Sequence, residues 1–216
     1  MRTLLTLPPE ATREIFQTHG EIPNWPAYYN AAPTTALPVV RDTTGGGREL
    51  VLMQWGSSCG SQRTTSPRIR LSTRKPKDCR PQRHIASPSR GPLPGAGVRL
   101  FRVGRSKTDR QPHYFTRADG QPMALAGLWD RWRSKDKSET KETFTIVTTE
   151  PSKFAAQFHN RMPLVLEPEI WDLWMKGDPD VAAALMMLPA EEDVLVSRPV
   201  SKAVGNVKNN SAELLA

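Results

Sequence analysis

Short runs of apolar and β-branched residues, broken by Gly, Pro, Asn and Asp, set the pattern of this chain. Residues 36–41 and 50–54 predict two strands joined by a Gly-rich turn over 42–48. Residues 111–117, 123–129 and 143–148 predict three more, with Asp119-Gly120 as one turn and the polar stretch 135–141 as a hairpin loop. Helical spacing is found at 8–19, where two prolines and Glu10 open the segment and Ala11, Ile15 and Phe16 share a face. Between it and the first strand, 24–38 reads as a loop anchored by Trp25, Tyr28 and Tyr29. Further on, 152–158 predicts a short helix capped by Ser152, 164–166 a strand, 168–175 and 178–188 helices, and 194–196 a closing strand. No internal repeat is present. The fold class is therefore α+β, a β-rich single domain over residues 1–216 with short flanking helices.

Composition changes this picture in one place. The chain has 216 residues and a net charge of +8, but residues 57–104 hold nine Arg and two Lys against the single acid Asp78. That tract carries +10 and leaves −2 for the rest. It contains both cysteines, Cys59 and Cys79, no Trp and no Tyr, and 12 of its 48 residues are apolar. So few apolar groups do not offset the entropy of ordering the chain, and the tract reads as a disordered basic Ser/Pro/Arg-rich insert. No apolar run approaches the roughly 18 residues of a membrane span. The N-terminus has no signal-peptide pattern, and two cysteines build neither a disulfide framework nor a zinc site. The compartment expected is the bacterial cytoplasm, beside the nucleoid, with no membrane partner, no metal and no cofactor.

Candidate chemistry is sparse. In Phe158-His159-Asn160-Arg161-Met162-Pro163, an extended backbone puts His159 and Arg161 on one face about 7 Å apart. A histidine moves protons near neutral pH and an arginine forks onto phosphate; a half-buried histidine satisfied by backbone is the alternative. Asn30 and Thr34, around the stiff Pro33, are placed to hydrogen-bond either a ligand or their own turn. Trp55, followed by Gly56 at a strand end, is either a base-stacking platform or a core aromatic. The basic tract attracts polyanions but has no interleaved aromatic for stacking.

Taken in order, these pieces resemble one family. Residues 29–34 and 37–41 resemble its "YN-x-APT…PVVR" stretch, 53–56 its "RWG", 111–115 its "QPYYF" and 126–132 its "AGLW-x-x-W". Residues 145–150 are similar to "TI-x-TTEA", 159–166 to "HDRMPVIL" and 199–215 to "PVS-x-x-V…N…EL". The family is the SOS response-associated peptidases (SRAP), the abasic-site-processing proteins. The resemblance implies a β-rich domain that binds single-stranded DNA at abasic sites as a monomer during the response to DNA damage, with peptidase- or lyase-type chemistry. It implies an N-terminal cysteine whose amine attacks the ring-opened sugar and whose thiol closes a thiazolidine, a covalent protein–DNA crosslink. An Asn motif, a Glu motif and the His of "HDRMP" assist. On this chain the resemblance makes His159 the catalytic residue and Asn30, Thr34, Trp55, Thr148 and Arg161 the DNA contacts.

Three of the four catalytic parts are missing. Met1-Arg2-Thr3 stands where Met-Cys-Gly-Arg belongs, and the Asn and Glu motifs fall in the basic tract, which contains neither. Codons for residues 92–103 can be chosen so that reading one base later spells Arg-Cys-Leu-Val-Pro-Ala-Ser-Gly-Tyr-Phe-Glu-Trp, the Glu motif. Residues 1–6 yield Cys-Gly-Arg-Tyr-Ser in the same way, and residues 71–77 yield Ile-Asn-Ala-Lys-Ala-Glu two bases later. Residues 57–104 and the first few thus read as out-of-frame translation, and the activity as impaired. A non-catalytic basic nucleic-acid binder and a non-functional relic are the other readings.

Overall fold

The computed structural model describes residues 2–43, 45–58, 69–71, 73–74, 92–95, 99–103, 111–134, 136–176, 184–185 and 192–216. Its strands in the first half are β1 (Arg2–Leu5), β2 (Tyr28–Ala31), β3 (Ala36–Asp42), β4 (Arg48–Trp55), β5 (Ser57–Ser58), β6 (Ile69–Leu71) and β7 (Thr73–Arg74). The second half adds β8 (Pro92–Gly95), β9 (Arg99–Val103), β10 (Pro112–Arg117), β11 (Ala124–Arg133) and β12 (Thr140–Thr149). Three short strands complete the set: β13 (Met162–Pro163), β14 (Val165–Leu166) and β15 (Leu195–Pro199). The helices are α1 (Pro9–Phe16), α2 (Lys153–Ala156) and α3 (Trp171–Lys176). No described helix is long and apolar enough to cross a membrane.

Five strands close into a barrel. The order is β12-β4-β3-β8-β11, and β11 pairs again with β12, so the ring has no free edge. β12 runs parallel to β4 through Thr143↔Gln54 and Phe144↔Trp55 and antiparallel to β11 through seven residue pairs. The barrel core holds Val39, Met53, Trp55, Leu125 and Phe144, and α1 and α3 pack against the same cluster. α1 starts where Pro9 fixes the first helical φ, and it ends at Gln17, which takes φ +51 as its left-handed cap. Its last residue, Phe16, stacks on Trp171 at 4.7 Å.

A second sheet, β15-β10-β9-β1-β2, is antiparallel throughout. Leu5 and Phe115 bury into the barrel-side cluster. Leu4, Tyr114 and Val200 bury into a smaller one, completed by Val204 and Leu214 from the C-terminal 3-10 turns Lys202–Gly205 and Ala212–Leu215. Alternation along each strand thus gives this sheet two apolar faces of unequal size.

Ser152 caps its helix as expected, its Oγ accepting the Ala155 N–H at 3.2 Å. Gly120 takes φ +75 in the expected turn. β11 and β12 run further than the sequence pattern suggests, because the Arg131 guanidinium bonds Glu142 across the hairpin and Arg41 reaches the same carboxylate from β3. Both guanidiniums also lie over the Trp129 ring, at 4.9 and 5.6 Å. β1 and β2 have no local signal; β2 lies inside the expected loop and becomes a strand because β1 pairs with it. The helix expected over 178–188 falls outside the described residues except at 184–185.

Within the basic tract, β8 pairs with β11 and β3, β9 with β1 and β10, β7 with β12, and β5 with β6. The expectation of disorder covers residues 57–104 as a whole; outside these strands the tract lies beyond the described residues.

Candidate functional site

The segment carrying His159 is built by a sequence of local hydrogen bonds. Glu192 accepts the N–H groups of Lys153 and Phe154 at 2.9 and 3.3 Å, satisfying orphan donors at the start of α2. The helix then tightens: the N–H groups of Phe158 and His159 both donate to the Ala155 carbonyl, at 3.1 and 3.0 Å. At the end of this turn the Arg161 N–H donates to His159 Nδ1 at 3.2 Å. The chain next enters β13, where Met162 and Pro163 pair with Thr149 and Thr148 of β12.

His159 and Arg161 therefore share a turn rather than one face of an extended strand. The difference has a chemical consequence. A ring nitrogen that accepts a backbone hydrogen bond holds a lone pair, so the proton of the neutral imidazole sits on Nε2. Arg161 is half-buried, and its guanidinium has no hydrogen bond or ion pair among the described residues. Thr148, paired with Pro163 on β12, is 2% exposed and offers DNA no surface.

The other expected residues are elsewhere. Trp55 is fully buried in the barrel core, so a stacking platform there has no face to offer a base. Its N–H donates to the Thr35 carbonyl and its carbonyl accepts from Thr34, at 2.9 and 2.7 Å. Thr34 is exposed and held at φ +86, a costly conformation for a β-branched residue, and Gln54 Nε2 clamps its carbonyl at 3.2 Å. Both sit at the Phe144 level of β12, four residues or about 13 Å of strand from Thr148.

Asn30 belongs to neither group. It is 3% exposed on β2, and its amide nitrogen donates to the carbonyls of Val204, Asn206 and Asn209 at 2.9–3.1 Å. The structure thus brings together His159 and Arg161 in one turn, buries Thr148 in β12, and places Asn30, Thr34 and Trp55 on other segments of the chain.

One residue went unnoticed in the sequence. His113 of β10 packs its ring on Phe158 at 4.6 Å, at the rim of a cluster with Phe115 and Phe154. Its Nδ1 is buried with no hydrogen-bond partner among the described residues, and burial pushes its pKa below the ordinary histidine value. The available signal was that His stands where the "QPYYF" motif has Tyr. Among the described residues no three His, Cys, Asp or Glu side chains gather as a metal site. A shallow depression of about 390 Å³ beside α1, lined by Glu10, Arg13, Glu14 and His19 among others, includes none of the expected residues.

Residues 102–207 match the family model described as SOS response associated peptidase (SRAP). The abasic site processing protein YoaM of Bacillus subtilis is 30% identical over 198 residues, 87% of this chain and 83% of that protein. The abasic site processing protein YedK of Escherichia coli is 37% identical over 111 residues. The match spans about half of each, 49% of this chain and 48% of YedK. A crystal structure of a protein from Bacteroides thetaiotaomicron superposes with a TM-score of 0.78 at 17% identity, covering 99% of this chain and 97% of that one, which establishes a shared fold.

Proposed function

The chain belongs to the SOS response associated peptidase family, and from that premise we propose that it binds single-stranded DNA at abasic sites through the turn bearing His159 and Arg161. A guanidinium with unspent donors presents a fork that suits a phosphate oxygen pair. Beside it, the His159 imidazole is the group of this turn whose chemistry suits proton transfer to the opened sugar or its phosphate. The observation that carries this reading is the adjacency of the two: an imidazole with its tautomer set by the Arg161 N–H, and the guanidinium of that same Arg161 without a hydrogen bond or ion pair among the described residues.

For a polypeptide of this sequence we place the activity at recognition, without ring closure. A thiazolidine needs a free amine and a thiol on one residue. The only cysteines are Cys59 and Cys79, whose nitrogens are bound in peptide linkages. We further propose that residues 57–104 are out-of-frame translation; in support, the family match opens at residue 102, within the last three residues of the tract. Its positive charge is then a product of codons and adds nothing to the case for DNA binding. The protein acts as a monomer in the cytoplasm, where the DNA is.

Fluorescence anisotropy with an oligonucleotide carrying one abasic site, against the same strand intact, tests this. The abasic strand binds more tightly. Arg161→Gln weakens binding to both and lowers the slope of log K on log salt by about 0.7, one phosphate contact on a single strand. Equal binding by Arg161→Gln and the unaltered protein would remove the turn from the interface.

A further inference from the structure

Among the described residues, His113 and the turn that carries His159 are joined by an aromatic contact through Phe158. The His113 ring lies 4.6 Å from Phe158 at a tilt of 52°. Phe158 in turn meets Phe115 edge-on at 5.1 Å and Phe154 at 5.5 Å, so one side chain ties the end of α2 to β10. The next residue is His159. Whatever holds Phe158 therefore holds the backbone from which His159 and Arg161 project.

Histidine is an unusual member of such a cluster because its charge is conditional. Neutral, the ring packs as an aromatic. Protonated, both nitrogens become donors, and Nδ1 is already buried with no acceptor among the described residues. The charged groups on the elements packed against it offer it little. The turn contributes Lys153, His159 and Arg161, and Glu192 is engaged with the backbone at the start of α2. On β10 itself, Arg117 holds Asp119 and Glu167. The positions paired with His113 on the neighbouring strands are Arg102 and Pro199. Among the described residues no carboxylate accepts a hydrogen bond from its Nδ1, and burial alone accounts for the direction of its pKa.

We infer that His113 is the positioning residue of the His159–Arg161 turn and makes that turn pH-dependent: ordered when the His113 ring is neutral, loosened when it is protonated. The inference rests on the DNA-binding reading for its functional meaning, since that turn is the proposed contact. In its physical content it concerns only the packing of one loop. The lowered pKa of His113 agrees with it, since burial disfavours the cation.

The test is amide hydrogen exchange on the full chain at pH 7.5 and 5.5, corrected for intrinsic rates. It is read at the Phe158 and His159 amides, which donate to Ala155. The Arg161 amide is left out, because its acceptor is itself an imidazole nitrogen, His159 Nδ1. The unaltered protein loses protection at both amides in acid, and His113→Phe keeps it. His113→Tyr, which restores the residue of the "QPYYF" motif, does the same and serves if the Phe variant folds poorly. Equal protection at the two pH values in the unaltered protein, or the same acid loosening in both variants, overturns the inference. Abasic-strand binding measured in parallel separates the two claims. Binding absent at both pH values with exchange as expected defeats the DNA reading and leaves His113 in its role.

Discussion

The two ends of β12 bear polar side chains that look alike in sequence and behave differently in the fold. At the Phe144 end, Trp55 is sealed in the core, and Thr34 and Gln54 spend their hydrogen bonds on one another's neighbourhood. At the Thr148 end, His159 Nδ1 accepts from the backbone, and the Arg161 guanidinium makes no hydrogen bond or ion pair among the described residues. Binding draws on hydrogen-bonding capacity that folding has left over. A residue whose donors are consumed internally is scaffold, whatever its type; Asn30, with both amide hydrogens on C-terminal carbonyls, is the clearest case.

Substitutions sharpen this contrast. Trp55→Ala leaves a large cavity in the barrel and costs about 3–5 kcal/mol, read by denaturant unfolding. A cost below about 1 kcal/mol would mean that Trp55 is not the core residue described here. Asn30→Ala strips the donor from three carbonyls and costs about 1–3 kcal/mol, read in the same way. Thr34→Gly relieves the strain of φ +86 and, after the entropy lost to glycine, gains up to about 1 kcal/mol. Arg161→Gln changes stability by no more than about 0.5 kcal/mol while weakening DNA binding. If Thr34→Gly abolished DNA binding and Arg161→Gln did not, the two ends of β12 would have to exchange roles.

Stability against pH gives a further, smaller effect. Because burial lowers the pKa of folded His113, the unfolded chain binds its proton first as pH falls. The contribution of the neutral ring is full above the unfolded value near 6.5 and is lost as pH drops through the folded one. The gap in stability between the unaltered protein and His113→Phe should therefore shift against the unaltered protein below about pH 6.5. A gap constant with pH would show that the ring takes up its proton at no cost.

Local signals in the sequence were sound guides to local structure. Ser152 before an apolar run, Pro8-Pro9-Glu10 and Asp119-Gly120 each act within a few residues, and each appears where the pattern puts it. What the pattern could not carry was pairing at a distance. β2 is a strand only because β1 lies alongside it, and β12 extends to Thr140 because Glu142 finds Arg131 and Arg41. The site divides the same way. His159 and Arg161 were found from their types and spacing, but their geometry depends on a turn fastened by Ala155 and Glu192. Trp55 could not be assigned because an aromatic at a strand end reads alike in a core and on a platform. His113 was hidden because its partner, Phe158, is 45 residues away in the chain.

The most direct test of recognition without ring closure is a denaturing gel of the protein after incubation with abasic single-stranded DNA, beside a native gel of the same mixture. We expect a salt-sensitive complex on the native gel, diminished by Arg161→Gln, and no protein–DNA band once the mixture is denatured. A covalent band that persists when Cys59 and Cys79 are both replaced by Ser would contradict it.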